Sequence, residues 1–241
     1  MSDVMQFLDL TLASAAANLA CDEALLDACE DGSGAEVLRF WEPQECFVAA
    51  GYSNELAREV NLAACRQAGV AVLRRCSGGG AVLQGPGCLN YALVLKTHGR
   101  PSLETITGAN RSIMERQREA LTRVLKREVE IKGCTDLAVG GLKFSGNAQR
   151  RKRHALLFHG TFLLRFDLSL MDQFLKMPSR QPDYRAARPH DRFLMNLDVA
   201  ASAVKDALRE AWGAHAPLSN VPDCQRLIAE KYNRDDWNLK S

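Results

Sequence analysis

The sequence predicts an α+β fold: one domain over residues 1–241, with a mostly antiparallel sheet flanked by helices. Three observations carry this. Helical and strand-like stretches are mixed along the chain, four strand-like runs follow one another between Val129 and Phe166, and Gly140-Gly141 sits between two of them as a hairpin signal. The composition agrees, since 46% hydrophobic and 25% charged residues over 241 positions are ordinary for a globular protein with its own core. Recurring apolar runs exclude disorder as the main theme. A formal net charge of +2 gives no bulk electrostatic reason for a nucleic-acid or membrane partner. No apolar run reaches bilayer-spanning length, and the first six residues lack a signal-peptide layout, so a cytoplasmic location is expected.

The elements follow in order. Leu12 to Cys29 is rich in alanine and leucine with acids on one side, which predicts a helix, and Asp31-Gly32-Ser33-Gly34 stops it. Glu36 to Trp41 and Cys46 to Tyr52 read as strand, turn, strand across Glu42-Pro43-Gln44. Asn61 to Ala68 is a short helix with Asn61 as N-cap and Gly69 past its end, followed by a strand from Val70 to Leu73. Leu89 to Leu95 is another strand. A helix from Ile106 to Lys126 presents Ala109, Ile113, Ala120, Leu121, Val124 and Leu125 on one face. Strands at Val129–Ile131, Leu137–Val139, Lys143–Ala148 and Ala155–Phe166 come next, then a short helix over Leu168–Lys176 and an amphipathic helix over Val199–Trp212. The stretch from Pro178 to Pro189 is too basic and aromatic for a mere spacer.

Eight cysteines occur at 21, 29, 46, 65, 76, 88, 134 and 224, and no two form a Cys-x-x-Cys pair. Zinc and thioredoxin-type chemistry therefore lack support, and without an export signal a disulfide framework is not expected. Most read as reduced thiols that pack as small apolar residues, with Cys134 set apart.

Chemistry concentrates in three segments. Arg74-Arg75-Cys76-Ser77-Gly78-Gly79-Gly80-Ala81-Val82 puts three glycines directly after a strand, where backbone N–H groups can close on an anion and two arginines add fork-shaped donors. A plain glycine turn with solvated arginines is the alternative. The pattern is neither a Walker A motif nor a dinucleotide fingerprint. In Thr135 to Gln149, Lys143 lies just past the hairpin turn, where its charge could stabilise negative charge developing in acyl transfer; an exposed strand lysine is the alternative. Phe158-His159-Gly160-Thr161 places a histidine in an apolar strand, as a pocket residue or as a satisfied core histidine. Arg150-Arg151-Lys152-Arg153-His154 reads as a solvated loop or a dock for an acidic partner.

In this order the three segments resemble the lipoate-protein ligase and octanoyltransferase superfamily, which is related in fold to biotin-protein ligases and class II synthetases. Asn18 to Leu26 and Leu38-Arg39-Phe40-Trp41 agree with it, so the resemblance spans essentially the whole chain. It implies that the Gly78-Gly79-Gly80-Ala81 backbone, with Arg75 and Ser77, encloses the acyl chain or acyl-adenylate. It implies that Lys143 contacts the acyl carbonyl and phosphate, that Asp136 lies near adenylate and Mg²⁺, and that Ser145, Gly146, Ala148 and His159 line the pocket. Two departures stand out: Leu83-Gln84-Gly85 replaces a Tyr/Phe-His-Asp continuation, and Gly87-Cys88-Leu89-Asn90-Tyr91 replaces Gly-Asn-Leu-Asn-Tyr. The lost histidine is a pocket or adenine-side contact.

The resemblance admits two reactions. A ligase uses ATP and Mg²⁺ to form lipoyl-AMP and then acylates a lysine of a carrier domain. A transferase moves octanoyl from an acyl carrier protein through a cysteine thioester. One transferase group has its cysteine three residues before the His-Gly pair, where this chain has Leu156. A second has it in the loop before the lysine motif, the region of Cys134, which Lys132 and Lys143 could activate. The spacing from Cys134 to the lysine motif is short for that group, and Thr135-Asp136-Leu137 favours the adenylate route. An acyl- or carrier-binding homologue without catalysis is a further alternative. The expected partner is a lipoyl carrier protein, of the glycine-cleavage H or dehydrogenase E2 kind, which Arg180, Arg185 and Arg188 could steer. Because the sequence stops at Leu239-Lys240-Ser241, where the large domain should end, the accessory function of a ligase is expected to come from a separate subunit, or the enzyme to use preformed lipoyl-AMP.

Overall fold

Residue alternation in two long strands organises the molecule, a computed structural model that describes residues 4–240. Met1–Asp3, part of the segment read for a leader, and the final Ser241 lie outside the described residues. The strands are β1 (Gln6–Asp9), β2 (Val37–Trp41), β3 (Phe47–Ala50), β4 (Ala71–Arg74), β5 (Val82–Gln84), β6 (Cys88–Lys96), β7 (Glu130–Lys132), β8 (Asp136–Val139), β9 (Leu142–Arg151), β10 (Ala155–Leu163) and β11 (Ala216–Pro217). Among the described residues they form an eight-stranded sheet in the order β11-β1-β2-β6-β10-β9-β8-β7 and a three-stranded sheet β4-β3-β5. Pairing is antiparallel from β2 through β7 in the large sheet and parallel only on the β1 side. The α+β reading and its flanking helices hold.

The central strands β6 and β10 are covered on both faces, which is why they read as continuous apolar runs. Leu89, Tyr91, Leu93, Leu156, Phe158 and Phe162 join the core under the helices Ile106–Leu125 and Ala201–Trp212. Ala92, Val94, Ala155 and Leu157 face the other way, into the core under the helix Ala15–Asp31. A third core supports the small sheet.

Local signals explain the element ends. Ser14 Oγ accepts the Ala17 N–H, Asn61 Oδ1 that of Ala64 and Thr105 Oγ1 that of Gly108, each an N-cap. Gly140 and Gly141 both take positive φ, 58° and 75°, and turn β8 into β9 as predicted.

Some expectations need correction. Glu36–Trp41 and Cys46–Tyr52 are strands but not one hairpin, since β2 lies in the large sheet and β3 in the small one. The Leu168–Lys176 helix is a 3₁₀ turn at Leu168–Leu170 and a single α-turn at Met171–Phe174. The strand from Ala155 ends at Leu163 rather than Phe166. The sequence reading missed β1, β5 and β11, and the helical turns over Gln225–Asn238. No helix among the described residues is long and apolar enough to cross a membrane.

Candidate active site

A cavity of about 270 Å³ opens between the two sheets and the segment Pro178–Leu194. Register brings its floor together: Thr161 pairs with Asn90 and Gly146, and His159 with Ala92 and Ala148, so these residues share one sheet face. Leu19, Trp41, Val82, Leu163 and Met171 make much of the wall apolar. Of the residues expected at a site, Arg75, Gly79, Gly80, Ala81, Asp136, Lys143, Ser145, Gly146, Ala148 and His159 border this cavity. Ser77 and Gly78 stand behind them, and Cys134 lies elsewhere. Ser145 pairs with Phe162, whose ring belongs to the core on the opposite face, and its buried hydroxyl has no hydrogen-bond partner.

Lys143 and Asp136 form an ion pair at the cavity. Lys143 Nζ lies 2.8 Å from Asp136 Oδ1, and both side chains keep some exposure. Gly146 makes room for the ammonium, since a Cβ built there would lie 2.9 Å from Lys143 Nζ. Tyr184 donates its hydroxyl to Asp136 Oδ2 at 2.7 Å. The carboxylate is thus held by one partner on each oxygen.

The arginines of the glycine segment do not serve as anion forks. Arg75 donates Nε to Ser77 Oγ (3.1 Å), Nη1 to the Ala49 carbonyl (2.8 Å) and Nη2 to the Gly78 and Gly80 carbonyls (2.6 and 3.0 Å). Burial lowers its pKa to about 10, which still leaves it charged at neutral pH. Its charge is spent on shaping the loop from inside. Arg74 donates to the carbonyls of Gly51, Tyr52, Asn54, Trp237 and Lys240, and so ties the C-terminal segment to β4. The loop packs onto the end of β3, where a Cβ on Gly51 would lie 2.0 Å from the Gly79 carbonyl oxygen, and Gly79 itself takes positive φ, 93°. The Ala81 N–H, expected to face an anion, donates instead to Glu59 Oε2 at 2.9 Å.

A buried polar chain crosses from the first helix to this loop. Arg39 pairs with Asp22, whose other oxygen lies 3.6 Å from His159 Nδ1. His159 Nε2 lies 2.5 Å from Ser77 Oγ, which also accepts from Arg75. His159 is therefore both a cavity residue and a satisfied one. Gln84, at the position of the missing family histidine, forms a closed triangle with Asn90 and Thr161: Gln84 Nε2 to Thr161 Oγ1 2.8 Å, Asn90 Nδ2 to Gln84 Oε1 2.9 Å, Thr161 Oγ1 to Asn90 Oδ1 2.5 Å. The departure from the family pattern is filled by a self-consistent polar floor.

Sequence reasoning missed Glu59 and Tyr184, and noted Gln84 only as a departure from the family pattern. For Tyr184 the sole signal was the aromatic, basic composition around it. Cys134 is exposed in the β7–β8 turn, Lys132 is paired with Glu130 at 2.6 Å, and Lys143 is paired with Asp136, so neither lysine is committed to the thiol. Six other cysteines are buried and Cys46 is half-buried; among the described residues none borders the cavity. The basic run is used locally: Lys152 pairs with Asp27 at 2.6 Å, and Glu30 accepts the backbone N–H groups of Arg153, His154 and Ala155.

Comparison with known proteins agrees with this geometry. The chain is 27% identical over 278 residues to the octanoyltransferase LipM of Geobacillus kaustophilus, covering 99% of each. It is 25% identical over 240 residues to lipoate-protein ligase A subunit 1 of Thermoplasma acidophilum, covering 92% of this chain and 91% of that one. The structure of the bi-partite lipoate protein ligase of T. acidophilum superposes with a TM-score of 0.82 at 25% identity, over 97% of this chain and 95% of the other. The family model of the lipoyl protein ligase A/B catalytic domain matches residues 14–211. With the motif lysine, the glycine loop and the His-Gly strand assembled around one apolar cavity, the chain belongs to the lipoyl protein ligase A/B catalytic domain family.

Proposed function

We propose that the protein is a lipoate-protein ligase-type enzyme that activates lipoate with ATP and passes the lipoyl group to a lysine of a carrier domain. One observation carries the choice of route: the Asp136–Lys143 pair borders the apolar cavity, whereas the eight cysteines lie outside it. In activation, a lipoate carboxylate oxygen bonds to the α-phosphorus and pyrophosphate leaves. In transfer, the carrier amine bonds to the acyl carbon, the bond to AMP breaks and the amine gives up a proton. Lys143 supplies a fixed positive charge for the oxygens that gain negative charge in both steps. The apolar wall takes the hydrocarbon chain.

Magnesium fits this site only as a partner of the nucleotide. Among the described residues no group of three or more His, Cys, Asp or Glu could hold a metal, and Asp136 alone offers a carboxylate beside Lys143. Magnesium commonly binds through one or two carboxylates and completes its shell with substrate phosphates and water. Asp136 would hold it, and the ion would supply charge neutralisation at the phosphates.

The carrier is proposed to be a lipoyl domain, of the H-protein or E2 kind, and the accessory function to come from a second subunit. The description of the archaeal relative as bi-partite, studied with its E2 lipoyl domain, supports both. A cytoplasmic location is part of the same reading. Octanoyl transfer through Cys134 is the second reading, motivated by the octanoyltransferase relatives and by the exposure of that thiol. Incubation with a lipoyl carrier domain and either ATP plus lipoate or preformed lipoyl-AMP, and separately with octanoyl-carrier, followed by intact-protein mass spectrometry, tests the two. Bound acyl-adenylate and lipoylated carrier are expected; an acyl thioester on Cys134 would overturn the ligase assignment.

A further inference from the structure

Asp136 is the member of the pair whose side chain a neighbouring segment holds from outside the sheet, whereas Lys143 is met there through its carbonyl, which accepts the Met195 N–H at 2.9 Å. Its Oδ1 faces Lys143 Nζ at 2.8 Å and its Oδ2 accepts the Tyr184 hydroxyl at 2.7 Å. Tyr184 belongs to the strap 178–190, which passes along the cavity mouth with Pro178, Arg180, Pro182 and Arg185 in its wall. We infer that Tyr184 is a positioning residue for the acyl-transfer reaction: its hydroxyl fixes the Asp136 carboxylate so that Lys143 is held at the cavity. This rests on the ligase or transferase reading of the site.

Three observations separate this role from mere fastening of the strap. First, the strap has other attachments. Ser179 Oγ donates to Glu59 Oε1 at 2.7 Å, Arg188 Nη2 donates to the Gly141 carbonyl at 3.1 Å, and His190 Nδ1 lies 2.5 Å from Asp172 Oδ1. Second, the Tyr184 ring is lodged independently of its hydroxyl, with its centroid 5.1 Å from that of Phe193. Removing the oxygen therefore leaves the strap in place. Third, the hydrogen-bond partner of the hydroxyl is Asp136 Oδ2 at 2.7 Å, so the oxygen bears on that carboxylate rather than on the strap. The strap also holds Ala186 and Ala187 at positive φ, 51° and 56°, a strain that persists only where the surroundings over-determine it.

The hydroxyl acts on orientation. Without it, the Asp136 carboxylate can rotate, and Lys143 loses its fixed partner. A one-ångström misplacement of a group acting on the transition state lowers turnover more than ground-state binding.

The test compares Tyr184→Phe with Ser179→Ala, which cuts a strap attachment without touching Asp136. For Tyr184→Phe, kcat for carrier acylation is expected to fall about tenfold with KM within about twofold. Ser179→Ala is expected to raise KM for the acyl substrate and leave kcat near wild type. Reductive methylation of the free protein, read by peptide mass spectrometry, gives an answer that does not need activity. Lys143 in Tyr184→Phe should label about threefold faster than in wild type, with Lys152 and Lys205 unchanged. Unchanged labelling of Lys143 overturns the inference, as does a kinetic change confined to KM. If wild type transfers neither acyl group, the functional reading fails, and the labelling result still decides the Tyr184–Asp136–Lys143 coupling.

Discussion

Ser77 Oγ and His159 Nε2 lie 2.5 Å apart, joining the glycine loop to the middle of the large sheet. Ser77 is fully buried and His159 nearly so, so this link is shielded from water. It continues through Arg75 to the carbonyls of Gly78 and Gly80. Replacing Ser77 with alanine strands the imidazole nitrogen and one Arg75 donor together. The expected loss is about 1–3 kcal/mol in urea unfolding, with a larger fall in acyl transfer than in carrier binding. A variant as stable as wild type would show that the loop does not depend on this link.

Two glycines make a contrasting pair. A Cβ on Gly160 would lie 1.9 Å from Asn147 Oδ1 and 2.8 Å from the Gly146 carbonyl oxygen, inside a strand pair that cannot part. Gly160→Ala is expected to lose about 3 kcal/mol or more, seen as a lowered denaturation midpoint. On Gly146 the Cβ meets the far end of Lys143, which can move aside. Gly146→Ala should keep most of its stability and lose about 10²-fold in turnover. Equal stability losses in the two would contradict the assignment of that space to the ammonium.

Glu59 gives a pH dependence with a definite sign. Burial opposes its charge, but hydrogen bonds from the Ala81 N–H, Ser179 and Asn54 outweigh burial and leave its pKa below the ordinary glutamate value. A lowered folded-state pKa contributes stability that is full above the unfolded value of about 4.3 and is lost as pH falls through the folded value. Glu59→Gln should therefore flatten the acid side of the stability curve and change little above pH of about 6. Chemical denaturation across the acid range checks it; parallel curves for the two proteins would refute it.

Cys134→Ser addresses the choice of chemistry directly. Under the ligase reading, ATP-dependent lipoylation of the carrier should stay within about twofold of wild type, while Lys143→Ala falls about 10²-fold or more. Loss of octanoyl transfer in Cys134→Ser, with no lipoyl transfer from preformed lipoyl-AMP in wild type, would transfer the assignment to the thioester route.

Much of this arrangement was legible where a local rule governs it. The Gly140-Gly141 turn, the Asn61 cap and the helix beginning at Ile106 each depend on residues near in sequence, and each appeared where the pattern put it. The glycine loop was legible as a backbone approach, but the tasks of Arg74 and Arg75 were not. Residue type announces a guanidinium, whereas only the fold shows five carbonyls converging on Arg74 from Gly51 to Lys240. Strand β5 was hidden because three residues after a glycine run carry too little periodicity to register. The Tyr184–Asp136 contact spans 48 positions, so no local pattern could declare it. Cys134 stood out in sequence through its neighbours, yet those neighbours point their charges at carboxylates.

Arg74 also joins the start of the glycine loop to a distant part of the sequence. The glycine loop follows β4 by a few residues, but Trp237 and Lys240 supply carbonyls to the Arg74 guanidinium, and Asn238 Oδ1 accepts its backbone N–H. Two stretches more than 160 positions apart thus share one guanidinium, and losing residues 237–240 would strip Arg74 of three of the hydrogen bonds that fix the root of the glycine loop.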